Sequence, residues 1–229
     1  MIVAMNNHYT EIAFILDRSG SMGSCREAAI QGFNRFLQEQ QQLEGLARLT
    51  LVLFDDKYLT AINALPVAEV LPLDHKTYLP RGTTALLDAI GHTVDQLEAR
   101  LTGMPEKVRP GQVIIAILTD GLENASRQYT WRQIADRIKQ QTERYGWTFL
   151  FLGANQDAIA TAAQMNIAMN NAALYIADAP GTLASHAALS RKARAIRRAA
   201  QRLATTQEIH DAAAPMSALI DEEDQKRRS

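Results

Sequence analysis

The chain has 229 residues, 47% of them hydrophobic, with a formal net charge of -1. That is enough apolar material for one sizeable core, and the charge balance offers nothing in favour of nucleic acid or an anionic membrane as a partner. A single cysteine, Cys25, excludes an internal disulfide and suits a reducing compartment.

In chain order, residues 1–8 lack the basic start and apolar stretch of a secretory signal. No run reaches the roughly 18 apolar residues of a membrane span, so a cytoplasmic location is expected. Residues 11–16 (EIAFIL) form the first apolar run, ending at Asp17. Residues 24–39 carry Ala28, Phe33, Phe36 and Leu37 near helical spacing. Residues 49–54 (LTLVLF) form the second run and end at Asp55-Asp56. Residues 58–65 follow after a short turn and read as an antiparallel edge strand beside it. Leu87, Ile90, Val94, Leu97 and Leu101 mark a helix over 84–101. The third run, 112–118 (QVIIAIL), leads into Thr119-Asp120-Gly121. A helix over 130–145, a fourth run over 147–152 closed by Gly153, a short helix over 157–165 and a weaker run over 172–177 follow. A long helix is expected over 180–203.

Short apolar runs bounded by turn residues suit strands buried on both faces. Their alternation with helices predicts an α/β fold: a doubly wound, Rossmann-like, mostly parallel six-stranded sheet with one antiparallel edge strand and helices on both faces. Residues 8–204 are expected to form this domain. Residues 205–229 read as a charged C-terminal tail, solvated and loosely ordered, with residues 208–220 able to form a helix.

In an open parallel sheet, ligands gather outside the carboxyl ends of the strands. There the chain reads Asp17-Arg18-Ser19-Gly20-Ser21. In an extended segment, Asp17, Ser19 and Ser21 point to one side, so one carboxylate and two hydroxyls converge. These are hard oxygen ligands, suited to Mg²⁺ or Mn²⁺ and unsuited to zinc or copper. The loop Arg81-Gly82-Thr83-Thr84 offers further hydroxyls, and Asp120 a second carboxylate.

These three segments together resemble the metal-ion-dependent adhesion site of von Willebrand factor A domains: Asp-x-Ser-x-Ser, then a distant Thr, then a distant Asp. The resemblance extends over roughly residues 10–203. Gly82-Thr83-Thr84-Ala85-Leu86-Leu87-Asp88-Ala89 is similar to the family's Gly-Thr-Ala-Leu-Tyr-Asp-Ala stretch, which puts the threonine ligand at Thr84, with Thr83 the other choice. Leu118-Thr119-Asp120-Gly121 is similar to its Leu-Thr-Asp-Gly. The resemblance implies a metal site of Asp17, Ser19, Ser21, Thr84 and Asp120 holding Mg²⁺ (or Mn²⁺), whose coordination a partner protein's Asp or Glu completes.

Each residue also has a plainer role. Ser19, Ser21 and Thr84 suit helix caps, and Asp120 with Glu123 resembles a capping box. Arg18 and Arg81 either meet a partner's carboxylate or pair with nearby acids. Cys25 reads as a packed helix residue, since no histidine base accompanies it. The five histidines show no zinc spacing. Arg191, Lys192, Arg194, Arg197, Arg198 and Arg202 lie beside an apolar stripe of Leu189, Ala193, Ile196, Ala200 and Leu203. This suits a final helix docked on the sheet with its charges solvated; a helix that docks an acidic partner or nucleic acid is the other reading.

The function expected is a non-enzymatic, metal-dependent protein-binding module, with no nucleic acid or membrane partner. The alternative is a Mg²⁺-dependent phosphotransferase of haloacid-dehalogenase type with Asp17 as nucleophile. That chemistry wants a second Asp two residues on, where Ser19 stands. A dinucleotide-binding reading fails for want of a Gly-x-Gly-x-x-Gly or a Walker lysine.

Overall fold

The computed structural model describes residues 6–154 and 157–228. The reading of residues 1–5 as free of a secretory signal therefore lies outside the described residues. The elements run β1 (Asn6–Asp17), α1 (Arg26–Gln41), β2 (Leu46–Phe54), β3 (Tyr58–Pro66), α2 (Leu86–Thr102), β4 (Pro110–Thr119), α3 (Trp131–Tyr145), β5 (Thr148–Gly153), α4 (Ala158–Gln164), β6 (Ala172–Leu174), α5 (Ala179–Ala200), α6 (Thr206–Ala213) and α7 (Met216–Arg228). The sheet order is β3-β2-β1-β4-β5-β6. Every pairing is parallel except β2 with β3. The expected doubly wound sheet with one antiparallel edge strand is thus what forms.

Strand periodicity sorts the core. Ile12, Phe14 and Leu16 of β1 face one layer, and Ala13 and Ile15 the other. The first layer is closed by Phe33 and Phe36 of α1, Leu189 and Ala193 of α5, and Met216 and Leu219 of α7. Phe14 meets Phe33 and Phe36 edge-on, at 5.3 and 5.0 Å between centroids. The second layer is closed by Ile90 and Val94 of α2, Ile134 and Ile138 of α3, and Ala158 and Ala162 of α4. No helix among the described residues is long and apolar enough to cross a membrane.

The C-terminal segment departs from the expectation of a solvated tail. It forms two helices, α6 and α7, and Ala214, Met216, Leu219 and Ile220 join the first core layer. The expectation that the basic run on α5 is solvated is corrected with it. Arg191, Lys192 and Arg197 are buried. The guanidinium of Arg191 donates from Nε and Nη2 to Asp211 at 2.7 and 2.6 Å and from Nη1 to Glu222 at 2.6 Å. Lys192 Nζ donates to the carbonyls of Asn170 and Ala214, and burial pushes its ammonium down to about 8. Arg197 donates to the carbonyl and side-chain oxygen of Gln40 on α1. Acids after residue 205 supply the counter-charges of Arg191, Arg194 and Arg198, so α6 and α7 form a cover over α5.

His186 sits where α1 and α5 cross, against Gly32 and stacked on Phe14 at 6.0 Å. Its Nδ1 pairs with the Thr182 carbonyl at 2.8 Å, and complete burial pushes its imidazole down to about 4. The unfolded chain, with a histidine near 6.5, binds the proton more readily, so stability falls as pH drops from about 6.5 to 4, by about 3 kcal/mol. Urea unfolding at pH 7 and pH 4.5 should show this loss for the wild type and a clearly smaller one for His186→Gln. Equal losses would exclude His186 as the acid-sensitive group.

Candidate metal centre

The direction of winding reverses between β1 and β4, which lie side by side. In open sheets of this kind it is here, where the loops leaving the carboxyl ends part, that ligands gather. Asp17 closes β1, and Asp120 follows β4 directly.

Beyond Asp17 the chain bends into a short 3₁₀ turn, Gly20–Cys25. Asp17 is fully buried. Its Oδ1 accepts the Ser19 N–H at 2.6 Å, and its Oδ2 accepts the Thr119 hydroxyl at 2.5 Å. The Ser19 and Ser21 hydroxyls lie 3.1 Å apart, and Ser21 Oγ donates to Asp120 Oδ1 at 2.6 Å. Ser19 is buried while Ser21 is exposed, so the cluster runs from a dry floor to an open mouth.

The third segment is stitched on through its backbone. Gly20 N–H donates to Gly82 O at 3.1 Å, and Arg81 N–H to Arg18 O at 2.7 Å. Gly82 has φ of +66°, and a Cβ there would collide with the Asp56 carboxylate, so only glycine suits the position. Thr84 is buried and its hydroxyl faces Gly121, where a Cβ would come within 2.5 Å of it. Thr84 N–H donates to Asn124 Oδ1 at 3.0 Å, and its carbonyl accepts from Asn124 and Ala125. The neighbouring Thr83 is exposed and turned to the rim.

The plainer roles fail on geometry. Ser19 precedes the 3₁₀ turn with no side-chain capping bond. Helix α2 begins at Leu86 with Ala85 as its uncapped N-cap, so Thr84 caps nothing. Glu123 crosses to α2 and accepts the Leu87 N–H at 2.9 Å, with no capping bond to Asp120. Cys25 is buried at the end of the 3₁₀ turn.

Both flanking arginines turn to Asp55. Arg18 lies 3.1 Å and Arg81 2.9 Å from its Oδ2. Among the described residues, no ion pair reaches Asp17 or Asp120. Burial pushes the Asp17 carboxyl up to about 6, against the Ser19 and Thr119 hydrogen bonds that lower it. Burial also raises Asp120. Two desolvated carboxylates and hydroxyl oxygens, with no protein cation among them, suit a hard divalent cation. Among the described residues, no group of three His, Cys, Asp or Glu side chains forms a metal cluster; this donor set contains only two such groups.

Sequence reasoning missed four supports. Thr119 holds Asp17, and Tyr78 donates its hydroxyl to the Asp17 carbonyl at 2.5 Å. Asp55 gathers the arginines, and Asn124 holds Thr84. Thr119 and Asp55 stand at strand ends, which was signal enough to find them. Tyr78 and Asn124 lie in irregular loops and carried none.

No family model matches the sequence, and neither does any curated protein. Solved structures do match. Proximal thread matrix protein 1 from the mussel byssus superposes with a TM-score of 0.54 at 14% identity, over 81% of this chain and 46% of that one. The von Willebrand factor type A protein from Catenulispora acidiphila gives 0.51 at 13%, over 81% and 42%. The ArnB paralog VWA2 from Sulfolobus acidocaldarius gives 0.51 at 15%, over 82% and 46%. The chain spans less than half the length of each. At these identities the likeness is one of architecture: the chain has the von Willebrand factor A fold.

Proposed function

We propose that the chain is a metal-dependent protein-binding module in which Asp17, Ser19, Ser21, Thr84 and Asp120 hold one Mg²⁺ (or Mn²⁺) ion. The observation that carries the reading is the hydrogen-bonded chain from Asp17 through Ser19 and Ser21 to Asp120, with which no basic side chain among the described residues forms an ion pair. Once bound, the ion would supply the positive charge that an Asp or Glu of a partner protein meets. Ser19, Ser21 and Thr84 contribute neutral hydroxyls. The two carboxylates nearly balance the ion, leaving it able to attract a third. Residues 8–204 are proposed as the binding domain, with 205–228 covering α5. The lone buried thiol of Cys25 supports a reducing, cytoplasmic setting.

Binding fits better than catalysis. As a nucleophile of haloacid-dehalogenase type, Asp17 would need a general acid beside it. Two residues on, Ser19 has no carboxyl with which to act as an acid.

Thr84→Ala tests the assignment. The variant should fold as the wild type does, since the loop is held by the Thr84 backbone. Its affinity for Mn²⁺, read by water-proton relaxation, should fall at least tenfold, and an acidic partner captured in Mg²⁺ should be lost, as it is in EDTA. Unchanged Mn²⁺ affinity in the folded variant would reduce Thr84 to a loop anchor.

A further inference from the structure

The two edges of the sheet differ. At one, β6 is three residues long, and so short an edge offers little to pair with. At the other, β3 runs for nine residues and, among the described residues, pairs with β2 alone. Residues 58–66 (YLTAINALP) contain no charged side chain, although charge is a common guard of an exposed edge. The segment after β3 turns away to α1, where the Val67, Val70 and Leu73 carbonyls accept from Gln41 and Asn34. Ala64 N–H donates to Thr50 Oγ1 at 3.1 Å and its carbonyl accepts from Arg48 Nη1 at 2.9 Å, both on β2. Among the described residues, no other backbone hydrogen bond of residues 59–65 lies outside the β2 ladder. Leu59 and Leu65 are 43% and 41% exposed. They stand opposite Leu53 and Leu49, and Ile62 opposite Leu51. Those three β2 leucines face the first core layer, so Leu59, Ile62 and Leu65 share that face of the sheet.

We propose that β3 pairs antiparallel with β3 of a second copy of this chain, about a two-fold axis through Ile62. The pattern of the strand selects that occupant. With Ile62 opposite its own counterpart, Leu59 of one copy falls opposite Leu65 of the other, and Leu65 opposite Leu59. A two-fold axis normal to the sheet keeps every residue on its own face, so the exposed leucines meet as cross-strand pairs. The two register irregularities of β3 lie between Thr60 and Ile62 and between Ile62 and Leu65, one on each side of the axis. Each meets the other across it, so bends that ordinarily spoil an edge for pairing run together here. No like charges oppose one another along the strand. Pro66, which lacks an N–H, falls outside the central pairs. The pairing joins two six-stranded sheets into one. Because the axis reverses strand direction, the strand ends carrying Asp17 and Asp120 point opposite ways, one set at each end of the dimer.

Sedimentation equilibrium of the whole chain reads the association. A dissociation constant of about 10–100 µM is expected, because one strand pair buries less than the roughly 1,200–2,000 Å² of stable interfaces. The equilibrium should be the same in Mg²⁺ and in EDTA, which separates it from the metal site. Leu59→Lys should weaken association at least tenfold, since each dimer takes up two lysines, while the melting temperature of the monomer is unchanged. Disulfide trapping reads the register. Leu59→Cys and Leu65→Cys variants, mixed in a glutathione buffer, should form the 59–65 cross-link in preference to 59–59 and 65–65. The native Cys25 is buried and takes no part. A chain still monomeric at several times the expected dissociation constant overturns the proposal, whether or not a strand of another protein takes the edge. So does a dimer that forms equally well in Leu59→Lys, or trapping without preference for 59–65. If Leu59→Lys does not fold, the wild-type equilibrium and the trapping decide together.

Discussion

Saturating Mg²⁺ is expected to raise the melting temperature by roughly 5–10 °C. An ion at a hundred times its dissociation constant adds about 2.7 kcal/mol by binding only the native state. For a chain of this size each kcal/mol moves Tm by about 2–4 °C. The effect should vanish in Asp17→Asn and in Asp120→Asn. Without metal, these two variants should behave differently from ordinary core substitutions. In the metal-free protein the Asp17 charge is desolvated and unpaired with any base, so its amide isostere removes a cost. Metal-free Asp17→Asn should therefore be at least as stable as the metal-free wild type, while losing the response to Mg²⁺. A differential scanning experiment in EDTA and in Mg²⁺ reads both. An undiminished response in Asp17→Asn, or no response in the wild type, rules out the proposed centre.

The second large effect lies on the cover over α5. Asp211→Ala should cost about 3 kcal/mol, because it leaves the buried Arg191 guanidinium short of its two-pronged partner. Glu222 and Glu223 remain within 2.6 and 3.4 Å of Arg191 and keep the loss from being greater. Removing both charges, as Arg191→Met with Asp211→Leu, should restore most of the stability, since buried pairs contribute little beyond an apolar substitute. Urea unfolding of the two variants measures the difference. A cost below about 1 kcal/mol for Asp211→Ala would mean that α6 does not close over α5 in solution.

The contrast between these two regions explains what the sequence disclosed. The strands were legible because burial on both faces produces unbroken apolar runs such as residues 112–118, and their order follows from alternation with helices. Asp17, Ser19 and Ser21 were legible from their spacing of two at one strand end, and Asp120 from its place at the end of another. Thr84 came from the family resemblance; its neighbours Tyr78 and Asn124 act through loop contacts 61 and 40 residues distant from their partners, which no period encodes. The basic face of α5 was misread for a related reason. An apolar stripe reports the side that meets the sheet, and charges elsewhere look solvated. Only the three-dimensional course of residues 206–228 reveals a further layer, in which Glu222 and Glu223 answer Arg191 and Glu208 answers Arg198.

Asp55 has a consequence for the sequence of events in recognition. By drawing both Arg18 and Arg81 to itself, it strips the mouth of the crevice of the cations that would otherwise welcome an incoming acid. An acidic partner arriving at the bare protein meets Asp17 and Asp120 unscreened and is repelled. On the proposed reading, a metal-free site would therefore disfavour the acid it is meant to receive, and capture at a fixed partner concentration should rise with the fraction of sites holding the ion.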